Sequence, residues 1–216
     1  MKTEWKIDFK LKLDETLGKN PSVENKKRSI QARMDAKIIG QGKWLSLHEL
    51  RYQDGRGNEK SWECVRRTGG RGAAAIVATV MKEGAPHVVL VRQFRPPVDG
   101  WVLEFPAGLV DADEAVGTTA QRELAEETGW RGEAIEVGPA VYNSPGMSDE
   151  RTALVRIAAS RQEKTNLEDD EAIEIVTLPL RGLKARLLEE AENGTQLDAK
   201  LWCFAVGMEV GSGGSI

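Results

Sequence analysis

The sequence predicts a mixed α/β domain, and three observations carry that reading. Short apolar runs with alternating or continuous hydrophobicity fill the first half of the chain, helical periodicities take over in the second, and glycine-rich or proline-rich turns separate the runs. Strands, a helix, further strands and then helices is the order expected of a mixed α/β sandwich. A chain of 216 residues with 40% hydrophobic content supports one good-sized core with a small accessory lobe beside it.

Residues 1–36 are rich in Lys, Asp, Glu and Asn, alternate weakly through Trp5-Lys-Ile-Asp-Phe-Lys-Leu-Lys-Leu and turn at Asn20-Pro21. They are expected to form an appended segment, whether extra strand, dimer contact or tail. Residues 37–70 form a second segment of short strands, at Ile38-Ile39, Trp44-Leu45-Ser46-Leu47 and Glu49-Leu50-Arg51-Tyr52. The turn Asp54-Gly-Arg-Gly-Asn58 then leads into a hairpin partner at Ser61-Trp-Glu-Cys-Val-Arg-Arg67. Residues 71–210 hold the principal domain. In it, Ala73-Ala-Ala-Ile-Val-Ala-Thr-Val80 and His87-Val-Val-Leu-Val-Arg-Gln-Phe94 read as buried strands either side of a turn at 82–86. A helix over residues 113–128 carries Val116, Ala120 and Leu124 on one ridge and stops before Gly129. A second over 180–193 carries Leu183, Leu187 and Leu188 and stops at Gly194, and a third covers 198–208.

The formal charge of −4 gives no electrostatic reason to expect nucleic acid or an anionic membrane as partner. No apolar run is long enough to span a bilayer and the start is highly charged, so a cytoplasmic location is expected. Cys64 and Cys203 lie far apart without metal-ligand spacing and read as buried free thiols. His48 and His87 are isolated, and Trp101 and Trp202 read as packing residues.

Chemistry concentrates in Arg122-Glu-Leu-Ala-Glu-Glu127. On a helix, Glu123, Glu126 and Glu127 are neighbours, and three anions so close repel unless a cation joins them. Hard oxygen donors of this kind suit Mg²⁺ or Mn²⁺. A glutamate-rich helix is also what a merely solvated face looks like, so composition does not decide between the two.

The wider spacing does. Gly108, Glu114, Arg122, Glu123, Leu124, Glu126, Glu127, Gly129 and Trp130 fill every fixed position of G-x5-E-x7-R-E-U-x-E-E-x-G-U, with U a bulky apolar residue. On these residues the chain resembles the Nudix hydrolase family. The resemblance implies an α/β/α sandwich with a mixed sheet, and a loop, helix, loop motif that binds two to three Mg²⁺ or Mn²⁺ ions. It implies Glu123, Glu126, Glu127 and the carbonyl of Ala107 as metal ligands, Glu123 and Glu127 also counting as catalytic, with Arg122 bracing a carboxylate. Glu114 would be supporting rather than catalytic.

Further stretches resemble the ADP-ribose pyrophosphatase group: Val91-Arg-Gln-Phe-Arg-Pro-Pro97, Glu104-Phe-Pro-Ala-Gly-Leu-Val110 and Asn143-Ser-Pro-Gly-Met-Ser-Asp-Glu150, with Pro145 at the place of that group's marker proline. The resemblance implies cleavage of ADP-ribose to AMP and ribose 5-phosphate. Trp44 and Trp62 would sandwich the adenine, with Glu63, Arg67, Arg95, Leu109 and Met147 as further substrate contacts; either tryptophan could equally be core. The amino-terminal antiparallel strands would exchange across a homodimer. The base is placed at Glu171, with Glu168 and Asp170 as rivals. A broader nucleoside diphosphate sugar hydrolase acting on GDP-mannose or ADP-glucose is the second reading. A non-catalytic nucleotide-binding regulator is a third, disfavoured because such modules lose box glutamates and this chain keeps them all.

Overall fold

The computed structural model describes residues 33–69, 72–165, 172–211 and 213, and side chains from residue 35 onward. Nearly all of the expected segment 1–36 lies outside the described residues. The chain divides into two units: residues 1–36 with 50–62, and residues 37–49 with 63–216.

Strands β1 (Arg33–Gln41), β2 (Leu45–Gln53) and β3 (Glu59–Arg67) form a three-stranded sheet in that order. In the smaller unit, the turn between β2 and β3 is closed by Asp54, whose Oδ1 accepts the N–H groups of Arg56 (2.8 Å) and Asn58 (2.9 Å). This is the local pairing for which aspartate is favoured in turns. In the larger unit, Ser46 and His48 on β2 face inward, with Ser46 Oγ 2.8 Å from His48 Nε2.

Among the described residues the main sheet has eight strands. Along β11-β6-β5-β4-β9-β8 they are β11 (Gln196–Leu197), β6 (Gly100–Glu104), β5 (Ala85–Arg95), β4 (Ala73–Lys82), β9 (Arg151–Gln162) and β8 (Trp130–Tyr142). The other two lie off that path: β7 (Ala107–Leu109) pairs with β4 and β10 (Ile173–Pro179) with β5. The sheet is mixed, since β4 runs parallel to β9 and antiparallel to β5. Strands β4 and β5 are apolar on both faces because both are covered, as expected of a buried central strand.

One face packs against helix α1 (Val116–Thr128), joining Ala74, Ile76, Ala78 and Val155 to Ala120 and Leu124. The opposite face, with Ala75, Val88, Leu90, Leu103 and Phe105, packs against α2 (Leu183–Glu192) and α3 (Ala199–Gly211) through Leu183, Leu187, Leu201 and Ala205. Helix, sheet, helix is the sandwich that the family resemblance implies.

The structure corrects several local expectations. Helix α1 begins at Val116 because Ala115 is extended (φ −75°, ψ 142°) and the Glu114 N–H closes a turn onto Asp111 O (3.2 Å). Leu188 is 46% exposed, since one residue past Leu187 the helix has rotated away from the sheet. Cys64 is a buried free thiol as expected, but Cys203 is exposed on α3. Trp202 packs against the core, whereas Trp101 is 46% exposed and meets Phe94 edge-on at 6.1 Å.

Candidate active site

Helix α1 is anchored by Ala120 and Leu124, both fully buried, which turns Arg122, Glu123 and Glu126 toward the rim and carries Glu127 to its edge. Its last turn is closed by Gly129 in the left-handed region (φ 70°), whose N–H reaches Ala125 O at 2.9 Å.

Beside the helix, β7 is laid down by pairing Ala107 with Ala75 and Gly108 with Ala74. Two glutamates converge on this short strand. Glu127 is only 6% exposed, and its Oε2 accepts the Ala107 N–H at 3.2 Å. Glu123 lies so close over Gly108 that a Cβ there would overlap its carboxylate. Glycine is required at this position for the passage of a side chain rather than for a backbone angle.

Arg122 gathers the remaining carboxylates. Its Nε and Nη2 donate to the two oxygens of Glu114 (3.2 and 3.0 Å), and Nη1 donates to Glu123 Oε1 (2.9 Å) and Glu126 Oε2 (3.0 Å). A bidentate pair plus two further charge-assisted bonds fixes the guanidinium plane. The Arg122 guanidinium and the Thr119 hydroxyl hold the Glu114 carboxyl below its ordinary range, while these anions push Arg122 further up and keep it charged. Among the described residues, no three His, Cys, Asp or Glu side chains stand together as a ready ligand set, because Glu123 and Glu126 are turned onto Arg122.

The other predicted site residues fall in several places. Arg95 ends β5 and donates from Nε to Glu104 Oε1 at 2.6 Å, a bond that raises its pKa. Leu109 is 44% and Met147 59% exposed. Arg67 pairs with Glu150 at 3.1 Å. Trp44 is exposed, with Lys43 Nζ 4.4 Å above its ring, and Glu63 is exposed on β3. Trp62, also exposed, belongs to the smaller unit. Glu168, Asp170 and Glu171 lie outside the described residues. Glu104 and Glu150 are the partners that local spacing does not reveal, since they meet Arg95 and Arg67 only through the fold.

A family model described as NUDIX domain matches residues 70–198. The chain belongs to the Nudix family. It is 35% identical to the ADP-ribose pyrophosphatase of Saccharomyces cerevisiae over 194 residues, which is 81% of this chain and 84% of that protein. It is likewise 35% identical to the ADP-sugar pyrophosphatase of Mus musculus over 184 residues, 80% of this chain and 84% of the mouse protein. A solved structure described as an ADP compounds hydrolase shares the fold with a TM-score of 0.62 at 20% identity, covering 85% of this chain and 96% of the other. The Nudix box is thus the stretch Gly108 to Trp130, and the convergence of Glu123 and Glu127 on residues 107–108 is its geometry in this protein.

Proposed function

We propose that this Nudix protein hydrolyses the diphosphate of ADP-ribose to AMP and ribose 5-phosphate with the help of a divalent cation. The observation that carries the reading is the convergence of Glu123 and Glu127, one helical turn apart on α1, on the backbone of residues 107–108. A diphosphate needs its negative charge neutralised while a water attacks in line, and that is work for hard oxygens holding Mg²⁺ or Mn²⁺.

The residues fit such an ion. Glu123, Glu126, Glu127 and the Ala107 carbonyl are all hard donors, and Gly108 leaves open the space in which Glu123 approaches the strand. When bound, the metal would neutralise phosphate charge and lower the pKa of its water. Arg122 keeps the carboxylates near one another in the meantime, with Glu114 holding Arg122 in place. Glu171 is the residue we assign as base, with Glu168 and Asp170 as alternatives.

Two relatives at 35% identity, one named ADP-ribose pyrophosphatase and one ADP-sugar pyrophosphatase, support an adenine diphosphate substrate. Exposed Trp44 supplies a π-face for a base, and Arg67 and Arg95 supply cations for phosphate or ribose. The homodimer reading is supported by Ile38, Leu45 and Leu47, which stand 54%, 46% and 37% exposed on β1 and β2 while Ser46 and His48 turn inward. An apolar strand face open to water is a natural contact for a second copy.

The test is a substrate panel with Mg²⁺, resolving AMP, GMP, UMP and sugar phosphates released from ADP-ribose, ADP-glucose, GDP-mannose and UDP-glucose. Preference for ADP-ribose with AMP as product is expected, and Glu127→Gln should reduce turnover by about two orders of magnitude or more. Equal rates across the bases would sink the adenine assignment in favour of the broader sugar-nucleotide reading. No turnover by folded protein in saturating Mg²⁺ would sink the hydrolase reading.

A further inference from the structure

We infer that Asp149 and Glu150 form a latch that fixes the loop between β8 and β9 onto β3 and thereby positions Arg67 and Met147 for substrate; the inference rests on the reading above that both face the substrate. The loop is first closed on itself. Asn143 N–H donates to Glu150 O (3.3 Å), the Met147 and Ser148 N–H groups both donate to Ser144 O (2.9 Å each), and Asn143 Nδ2 donates to Thr152 Oγ1 (2.9 Å) and Glu150 Oε2 (3.3 Å).

The closed loop is then fastened to β3 residue by residue. Val65 N–H donates to Met147 O at 2.8 Å, and Val65 pairs with Ser148 as a parallel bridge. The next residues are joined by charge: Arg66 Nε lies 3.0 Å from Asp149 Oδ2, and Arg67 Nε and Nη2 each lie 3.1 Å from Glu150 Oε1. Successive side chains along extended backbone point to opposite sides, so the two ion pairs clasp the seam from both sides. Because Glu150 takes both Nε and Nη2 of Arg67, it sets the plane of the guanidinium, and with it the direction of the Nη1 donors that the pair does not use.

Side chains this exposed contribute little to global stability as ion pairs: Asp149 is 57%, Arg67 38% and Glu150 31% exposed. As surface ion pairs and nothing more, they would change almost nothing on removal. A positioning role predicts a loss of substrate affinity, because an arginine and a loop held in place before binding need not be ordered during it.

The experiment is steady-state kinetics of the full chain on ADP-ribose with Mg²⁺, alongside melting temperatures, for Glu150→Ala, Glu150→Gln, Asp149→Ala, Arg67→Ala and Arg67→Ala combined with Glu150→Ala. Glu150→Ala is expected to raise KM about fivefold or more, with kcat within about twofold and an unchanged melting temperature. Glu150→Gln should recover part of the loss, since an amide oxygen still accepts from Arg67, and Asp149→Ala should raise KM less. The double variant should be no worse than Arg67→Ala, because Glu150 acts through Arg67. If Arg67→Ala raises KM and Glu150→Ala does not, the latch is overturned while the substrate assignment of Arg67 stands. If Arg67→Ala leaves KM unchanged, that assignment fails and the latch falls with it. A Glu150→Ala protein that loses kcat and melting temperature together has a structural role only, which also overturns the latch.

Discussion

At Gly108 the missing Cβ gives Glu123 its place, and at Gly129 a glycine is required for a different reason. An alanine at 108 would meet the carboxylate end of a flexible side chain, whereas one at 129 would meet the Glu163 carbonyl from a backbone held at φ 70°. The two substitutions should therefore separate function from stability. Gly108→Ala is expected to cut turnover of ADP-ribose about tenfold or more with little change in melting temperature, because only the Glu123 side chain has to move. Gly129→Ala should cost about 1–3 kcal/mol in chemical denaturation, combining left-handed strain with overlap against backbone. Equal losses of stability in the two variants would refute this division.

Helix α1 carries the site as a unit, since the buried stripe of Ala120 and Leu124 fixes its rotation and Arg122 fixes its charged rim. The Glu114 carboxyl, held below its usual range first by Arg122 and then by Thr119, ties the helix to the turn before it. A folded-state pKa that is depressed contributes stability above the unfolded value of about 4.3, and that contribution is lost as pH falls through the folded value. Wild type should accordingly melt higher than Glu114→Gln near neutral pH, with the difference shrinking as the solution is acidified below the ordinary carboxylate range. A difference that is constant from neutral pH into that acidic range would show that the charge of Glu114 is not what stabilises the helix. The long strands β8 and β9 were the elements least legible in the sequence. On β8, Ile135, Val137, Val141 and Tyr142 are all exposed and its pairing with β9 shifts register at three places, so no alternation marks it. On β9, alternation is present at Val155, Ile157 and Ala159, but alanines dilute its hydrophobic contrast.

At the scale of the whole molecule, the net charge of −4 means that an anionic substrate must be met by local cations, for which we propose Arg67 and Arg95, or by metal. No helix among the described residues is long and apolar enough to cross a membrane. The exposed face of Ile38, Leu45 and Leu47 leads to a prediction about assembly. Leu47→Lys should shift the protein from two chains to one in light scattering at micromolar concentration, because it buries an unpaired ammonium in the proposed contact. An unchanged mass would place any dimer contact elsewhere.

The sequence by itself determined the layers of the sandwich, the position of α1 to within one turn, and the box glutamates. Each of these is written in local spacing, whether a helical ridge, a glycine stop or carboxylates three and four residues apart, and local spacing is legible without a fold. Tertiary structure alone decided which groups hold those residues. Glu104 reaches Arg95 across the β5–β6 pairing, Glu150 reaches Arg67 across 83 residues of chain, and Glu127 reaches Ala107 from the edge of α1. Such partners are set by strand register and helix rotation, which depend on burial of the whole core and leave no periodic trace near the residues they join.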